Sequence, residues 1–157
     1  MKKIRKILDK VLEILCSSLL VFMVLIVLYQ IFTRVVLNNP NTITEELVRF
    51  LMVWVSLLSS AYVVGKKSHL AVTLLSEKLN IEHRRLLDLI VQVLFLLFSL
   101  TVMVYGGIKS FGVTLVQLSP SLSLPMGYIY LSVPISGLLI CIYTVLNIFD
   151  SIDGSEG

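Results

Sequence analysis

The sequence predicts an all-α integral membrane protein with four transmembrane helices. Hydrophobic residues make up 57% of its 157 residues and charged residues only 15%, which leaves too little polar surface for a soluble domain of this size. Its long apolar runs approach or reach the roughly 20 residues that a helix needs to cross a bilayer. We expect a single membrane domain over residues 1–157, with spans at about 11–37, 43–65, 86–108 and 126–149.

The first and third spans have the simplest pattern. Ile14–Thr33 and Leu89–Ile108 are each 20 residues without a charge, and a helix of that length rises about 30 Å, the thickness of a bilayer core. The basic N-terminus resembles the start of a signal peptide, but no small-residue cleavage site follows it, so we interpret the first run as a retained helix. We expect Gly106 and Gly107 to end the third span.

The second span has to begin with charged residues. Phe50–Gly65 is only 16 residues long, so the helix must start near Ile43 if it is to cross the membrane. Thr42, with Glu45 three residues later, is typical of a capping box, and this pattern supports such a start.

The fourth span lies within Ser110–Phe149, an uncharged stretch that is too long for one helix. Pro120 and Pro125 interrupt this stretch, so we place the span at 126–149. Residues 110–124 are expected to form either a loop or a short segment that dips into the membrane.

The distribution of basic residues predicts the orientation. Ten of them precede the first span or lie between the second and third, whereas the opposite loops contain Lys109 alone, with Arg34 and Arg49 at helix ends. The positive-inside rule therefore predicts that both termini are cytoplasmic. The cytoplasmic loop is expected to contain a short interfacial helix, because apolar residues recur there at helical spacing: Val72, Leu75 and Leu79.

Four charged residues lie at the predicted outer ends of the first two spans: Arg34, Glu45, Glu46 and Arg49. Charges beside lipid are rare unless they are paired. On a helix, Arg49 follows Glu45 by four residues and Glu46 by three, which suits ion pairs. Arg34 is separated from these acids only by a short turn. We predict a structural staple between the two helices or, alternatively, a contact with a partner at the outer surface.

The second span also carries packing signals. Ser56 and Ser60 are four residues apart, and small residues at this spacing let helix backbones approach closely. Trp54 lies deeper than an interfacial aromatic belt would place it, so we expect it to contact a neighbouring helix or another subunit. The candidates for a subunit interface or a periplasmic-partner site are therefore Arg34, Glu45, Glu46, Arg49, Trp54, Ser56 and Ser60.

Groups that could carry chemistry are scarce in the sequence. No acid lies near the middle of a predicted span, and no nucleophile–base pair, glycine-rich phosphate loop or zinc motif occurs. Cys16 and Cys141 do not form a CxxC pair, and we interpret His69 and His83 as solvated loop residues. The sequence thus predicts no enzyme, no catalytic, substrate-binding or metal-binding residue, no cofactor and no nucleic-acid partner.

The order of these features resembles one transporter family. An arginine closes the first span, Thr-Glu-Glu-Leu-Val-Arg opens the second, Gly-x-x-x-His ends it, and Ser-Pro-x-Leu-x-Leu-Pro precedes the last span. This pattern resembles the small membrane subunit, the DctQ-like Q subunit, of tripartite ATP-independent periplasmic (TRAP) transporters. The chain departs from it at Ser59-Ser60 and at Lys66-Lys67-Ser68, where glycines are common. The matching positions are Arg34, Glu45, Glu46, Trp54, Gly65, His69, Pro120, Leu122, Leu124 and Pro125.

The resemblance implies a role in the bacterial inner membrane. The family takes up organic acids, such as C4-dicarboxylates or sialic acids, with a sodium gradient. A periplasmic substrate-binding protein captures the substrate, a large membrane subunit carries the substrate and sodium sites, and the small subunit acts as a scaffold. The implied partners are these two proteins and membrane lipid. The sequence does not specify the substrate.

One alternative from another class is a small homodimeric multidrug-type exporter. Such a protein needs an acid deep in its first span. Glu13 is the acid nearest to that span, and it lies too close to the cytoplasmic end to serve.

Overall fold

The computed structural model describes residues 2–66 and 81–152, and in these ranges the chain is mostly helical. Its helices are α1 (Lys2–Val35), α2 (Thr42–Gly65), α3 (Ile81–Phe98), α4 (Gly107–Thr114), α5 (Gly127–Tyr130) and α6 (Ser132–Ile152). A π-helical segment, Ser99–Gly106, joins α3 to α4. His69 and the interfacial helix predicted within residues 72–79 lie outside the described residues.

Four helical spans in the described part of the chain are long and apolar enough to cross a membrane. They are Lys3–Val35, Thr42–Gly65, Leu86–Thr114 and Gly127–Phe149. The predicted all-α membrane class with four spans is therefore confirmed.

The centre of the bundle is α6. It packs against α2, α3 and the π-helical segment, while α1 packs against α2. In its most apolar stretch 44% of the residues are buried, compared with 11–17% in the other three spans. One core cluster joins Ala61, Val64, Met103 and Ile140, and a second joins Leu12, Leu58 and Tyr143.

The start of α2 differs from the prediction by one residue. Asn41 has an extended backbone, and its side-chain Oδ1 accepts a hydrogen bond of 3.0 Å from the backbone N–H of Ile43. Asn41 is thus the N-cap, not Thr42, because its side chain satisfies an amide that has no partner inside the helix.

Gly106 and Gly107 do not end the third span, so that prediction is wrong. The helix continues through α4 to Thr114. A Cβ at position 107 would lie only 2.7 Å from Cδ of Pro134. A glycine here lets two helices approach closely, and it costs a helix only about 1 kcal/mol relative to alanine.

A proline explains the short break between α5 and α6. Pro134 has no backbone N–H, so the carbonyl of Tyr130 lacks its usual partner four residues later. The chain continues in a nearly helical path around this gap: Leu131 N donates to Gly127 O at 2.8 Å, and Ile135 N donates to Leu131 O at 3.3 Å.

The bundle has two ends, which are distinguished by where α1 and α2 begin and finish. We call the end where α1 finishes and α2 starts the loop end; it also holds residues 115–126, named here the outer loop. The opposite end, where α1 starts and α2 finishes, is called the terminal end.

Candidate functional site

The side chain of Arg34 does not join the predicted staple. It is exposed, and it makes no ion pair with any residue in the ranges 2–66 and 81–152. The adjacent Thr33 is the residue that faces inward, with 5% of its surface exposed. The turn after α1 includes Asn38 at φ 50°, a left-handed conformation that asparagine adopts more readily than most residues. The prediction that Arg34 reaches an acid of α2 is wrong.

Glu45 and Arg49 form the local ion pair that their spacing predicts. Arg49 Nη2 lies 3.8 Å from Glu45 Oε2, and the two side chains are 76% and 35% exposed. An exposed pair at this spacing contributes about 0.3–0.5 kcal/mol to stability. It is therefore a minor stabilising contact on a surface that remains open to a partner.

Glu46 has a different role from its neighbour. It is only 8% exposed, and its Oε2 accepts hydrogen bonds from the backbone N–H groups of Ser121 at 2.9 Å and Leu122 at 2.8 Å. Bonds to a charged acceptor are each worth about 1.5–3 kcal/mol. The carboxylate of α2 therefore holds the tip of the outer loop, and the predicted pairing of Glu46 with Arg49 is not the one found.

The outer loop folds back on itself in a hairpin-like turn. Met126 N donates to Gln117 O at 2.8 Å, and Ser119 N donates to Leu124 O at 2.9 Å. Ser119 is buried, and its Oγ accepts from Leu124 N at 3.3 Å. Of residues 110–124, therefore, 110–114 continue the helix and the remainder belongs to the outer loop.

The outer loop exposes large apolar side chains. Val116 is 85% exposed and Leu118 is 64% exposed. Leu124 and Tyr128 line a groove of about 200 Å³ that runs on to Phe50 and Trp54 of α2. Trp54 is half-buried and also packs beside the Leu12–Leu58–Tyr143 cluster. Trp54 thus contacts neighbouring helices of its own bundle, which is one of the two alternatives predicted from the sequence.

Ser56 and Ser60 lie on the opposite face of α2 from its buried residues. Both are exposed, and Ser60 Oγ donates to the Ser56 carbonyl at 2.8 Å, so that hydroxyl needs no other partner. They form part of a continuous exposed row at helical spacing, which we name the α2 stripe: Arg49, Met52, Val53, Ser56, Ser60 and Val63.

A polar cluster at the terminal end was not anticipated from the sequence. Tyr143 OH donates to Asp9 Oδ1 at 2.8 Å, and Lys66 Nζ lies 3.5 Å from Asp9 Oδ2. Arg5 Nη2 donates to the carbonyl of Gly65. The cluster therefore joins α1, α6 and the end of α2 through one carboxylate and its neighbours.

The polar cluster also favours the charged form of Lys66 further. The negative charge of Asp9 is the largest cause that raises the pKa of Lys66 above its ordinary value of 10.5, and the Tyr62 ring lies 5.3 Å from Nζ. Nearby, Asn147 Nδ2 donates to Val64 O at 3.1 Å. Sequence reasoning missed the contacts of Asp9 and Asn147 because their partners are far away along the chain.

The arrangement holds helices and a loop in place and presents outward surfaces. In residues 2–66 and 81–152 no group of three or more His, Cys, Asp or Glu side chains could hold a metal ion. The seven predicted site residues divide into two sets. Glu46 and Trp54 contact their own bundle, whereas the outward set is Arg34, Glu45, Arg49, Ser56 and Ser60.

Comparison with known protein families shows which family has these features. Residues 23–154 match the family model described as the DctQ component of tripartite ATP-independent periplasmic transporters. The chain belongs to this family. As a DctQ component it is a small permease subunit of a TRAP transporter and a multi-pass protein of the bacterial inner membrane. The recognition made from sequence motifs is confirmed.

Two relatives are similar to this DctQ chain over much of their length. One is a Haemophilus influenzae protein whose name assigns it to the TRAP transporter small permease proteins; it is 28% identical over 97% of this chain and 94% of its own length. The other, the sialic acid TRAP transporter small permease protein SiaQ of Vibrio cholerae, is 31% identical over 68% of this chain and 61% of its own.

A third relative is much longer. The isethionate TRAP transporter permease protein DctMQ of Oleidesulfovibrio alaskensis is 31% identical over 59% of this DctQ chain, but the match covers only 15% of that protein.

Proposed function

We propose that this subunit is a scaffold that holds a large TRAP membrane subunit steady during sodium-driven uptake of an organic acid. The observation that carries the proposal is the α2 stripe, an exposed helix face with two serines at its centre. Association of helices in lipid depends on close packing, and small residues permit it. A polar hydroxyl that is already satisfied within its own helix can be buried against a partner at low cost.

The long DctMQ relative supports a large-subunit partner. A small-permease sequence matches a minor part of that protein, as expected if the two membrane components work side by side. The names of the relatives include sialic acid and isethionate. Both are organic acids, so we propose that class for this transporter without choosing a member of it.

We propose further that both termini lie in the cytoplasm, on the positive-inside rule. The outer loop and the Glu45–Arg49 pair then lie at the periplasmic surface. There they are available to a substrate-binding protein, which is the third partner expected of such a system. The hydrogen bonds from the loop backbone to Glu46 support the docking role, because they give the outer loop a fixed shape.

Reconstituted uptake tests the scaffold role. Vesicles that contain this subunit alone should show no uptake, and addition of the large subunit and the binding protein should restore sodium-dependent uptake. Uptake by the purified chain alone would refute the proposal, whereas proton-coupled dye efflux by the chain alone would favour the exporter class.

Ser60→Leu tests the α2 stripe as the contact with the large subunit. The bulkier side chain should prevent close packing and lower the amount of large subunit that co-purifies by roughly ten-fold, for a loss of about 1–2 kcal/mol. Thr101→Leu is the matched control, because Thr101 is also exposed and bonded to its own helix, through the Leu97 carbonyl. An equal loss in both variants would remove the stripe as the specific contact.

A further inference from the structure

Three lysines lie on the outward face at the start of α1. Lys3, Lys6 and Lys10 are exposed, and together with Ile7 and Val11 they line a groove of about 390 Å³. Spacings of three, four and seven residues put these positions on one side of a helix. No carboxylate in the described part of the chain pairs with any of the three lysines.

The opposite side of the same turns makes the contacts that the bundle needs. Arg5 bonds the Gly65 carbonyl, and Asp9 binds Tyr143 and lies beside Lys66. Arg5 and Asp9, which hold α1 against the bundle, are thus distinct from the three lysines. Among the described residues, the bundle contacts of these turns come from Arg5 and Asp9 and not from the lysine face.

The contacts of Arg5 and Asp9 also fix the depth of the lysine face. They set the first turns of α1 beside the last turn of α2. A helix of 24 residues rises about 36 Å, slightly more than a bilayer core, so its end lies among lipid headgroups. The lysines are therefore at headgroup level, and the exposed side chains of Ile7, Val11 and Ile14 continue from them toward the hydrocarbon.

We propose that the lysine face is a binding site for one anionic phospholipid. The ammonium groups of Lys3, Lys6 and Lys10 hold the headgroup phosphate, and an acyl chain lies along Ile7, Val11 and Ile14. Charge complementarity argues for this occupant, because basic side chains at the membrane surface attract anionic lipid. The row of exposed apolar residues below the charges matches an acyl chain. The site does not depend on the proposed transport role.

Native mass spectrometry of the full chain in detergent tests the site, with phosphatidylglycerol and phosphatidylcholine of identical acyl chains as the probes. Phosphatidylglycerol should bind preferentially. The double variant Lys6→Gln with Lys10→Gln should weaken its binding about five-fold for each lysine. Arg34→Gln with Lys109→Gln removes the same charge at the loop end and should change binding less than two-fold, about the scatter of such comparisons.

Other outcomes would overturn the proposal. These are equal binding of the two lipids, unchanged phosphatidylglycerol binding in the lysine variant, or an equal loss in both double variants. If the lysine variant instead releases the large subunit while lipid binding is unchanged, the face is a protein contact. Lys6→Arg with Lys10→Arg keeps both charges and should retain binding, so a loss in that variant would also contradict the site.

Discussion

Two adjacent glutamates in α2 show how position on a helix decides the role of a side chain. Successive residues of an α-helix point about 100° apart. Glu45 consequently stays at the surface beside Arg49, while Glu46 turns inward to the backbone of the outer loop. A carboxylate therefore contributes little to stability at position 45 and much more at position 46, because burial removes competition from water.

Glu46→Ala should lower stability by about 2–4 kcal/mol, since it leaves two half-buried N–H groups, those of Ser121 and Leu122, without their acceptor. Glu46→Gln keeps one acceptor oxygen but no charge, so its loss should be smaller. Thermal unfolding of the purified subunit in detergent measures both. Glu45→Ala is the matched control and should cost less than about 0.5 kcal/mol. Equal losses for the two alanine variants would show that the outer loop does not depend on Glu46.

At the scale of elements, glycines set the spacing between α6 and the π-helical segment. A Cβ at position 137 would lie 2.7 Å from Met103 Cβ and 3.2 Å from the backbone N of Val104. Gly107 meets Pro134 in a similar way. Close approach along this line increases the van der Waals contact that holds helices together in lipid.

Gly137→Ala should force α6 and the π-helical segment apart and lower stability by about 1–3 kcal/mol. Gly112→Ala offers the control, because a Cβ built there meets no atom within 4 Å apart from its chain neighbours and the backbone of its own helix. In that open position alanine should raise stability by about 0.5–1 kcal/mol. Melting temperatures that move in the same direction in both variants would contradict the close-packing argument.

The spans and the local contacts of the fold were predictable, because they depend on residues near one another in sequence. Runs such as Ile14–Thr33 reveal a span by length and hydropathy alone, and the Glu45–Arg49 pair follows from a spacing of four. The partners of Glu46 were not predictable, since Ser121 is 75 residues away. Tyr143 and Asp9 are separated by 134 residues. No local pattern records a pairing that only the packed helices bring about.

Arg34 shows the opposite kind of error, a contact that the sequence predicted and the structure does not contain. A short connection to α2 made contact with an acid plausible, but closeness along the chain does not determine which way a side chain points. Thr33 occupies the inner face at that level. The arginine one step later is left on the outside.

On the scale of the whole molecule, the main property to establish is its orientation in the membrane. The positive-inside rule predicts cytoplasmic termini and thus a periplasmic loop end. In a background without Cys16 and Cys141, a membrane-impermeant maleimide applied to spheroplasts should label Asn39→Cys. Ser155→Cys should be labelled only after the membrane is opened. The reverse labelling pattern would invert the orientation and remove the proposed periplasmic docking surface.

The way Glu46 holds the outer loop has a consequence for how such subunits diversify. Its carboxylate recognises the peptide amides of positions 121 and 122, not the side chains attached to them. Nearly any amino acid at those positions supplies the same amide, and proline alone does not. The shape of the loop is therefore independent of much of its chemistry. A lineage could change the side chains to suit a new binding protein while it keeps the backbone that displays them.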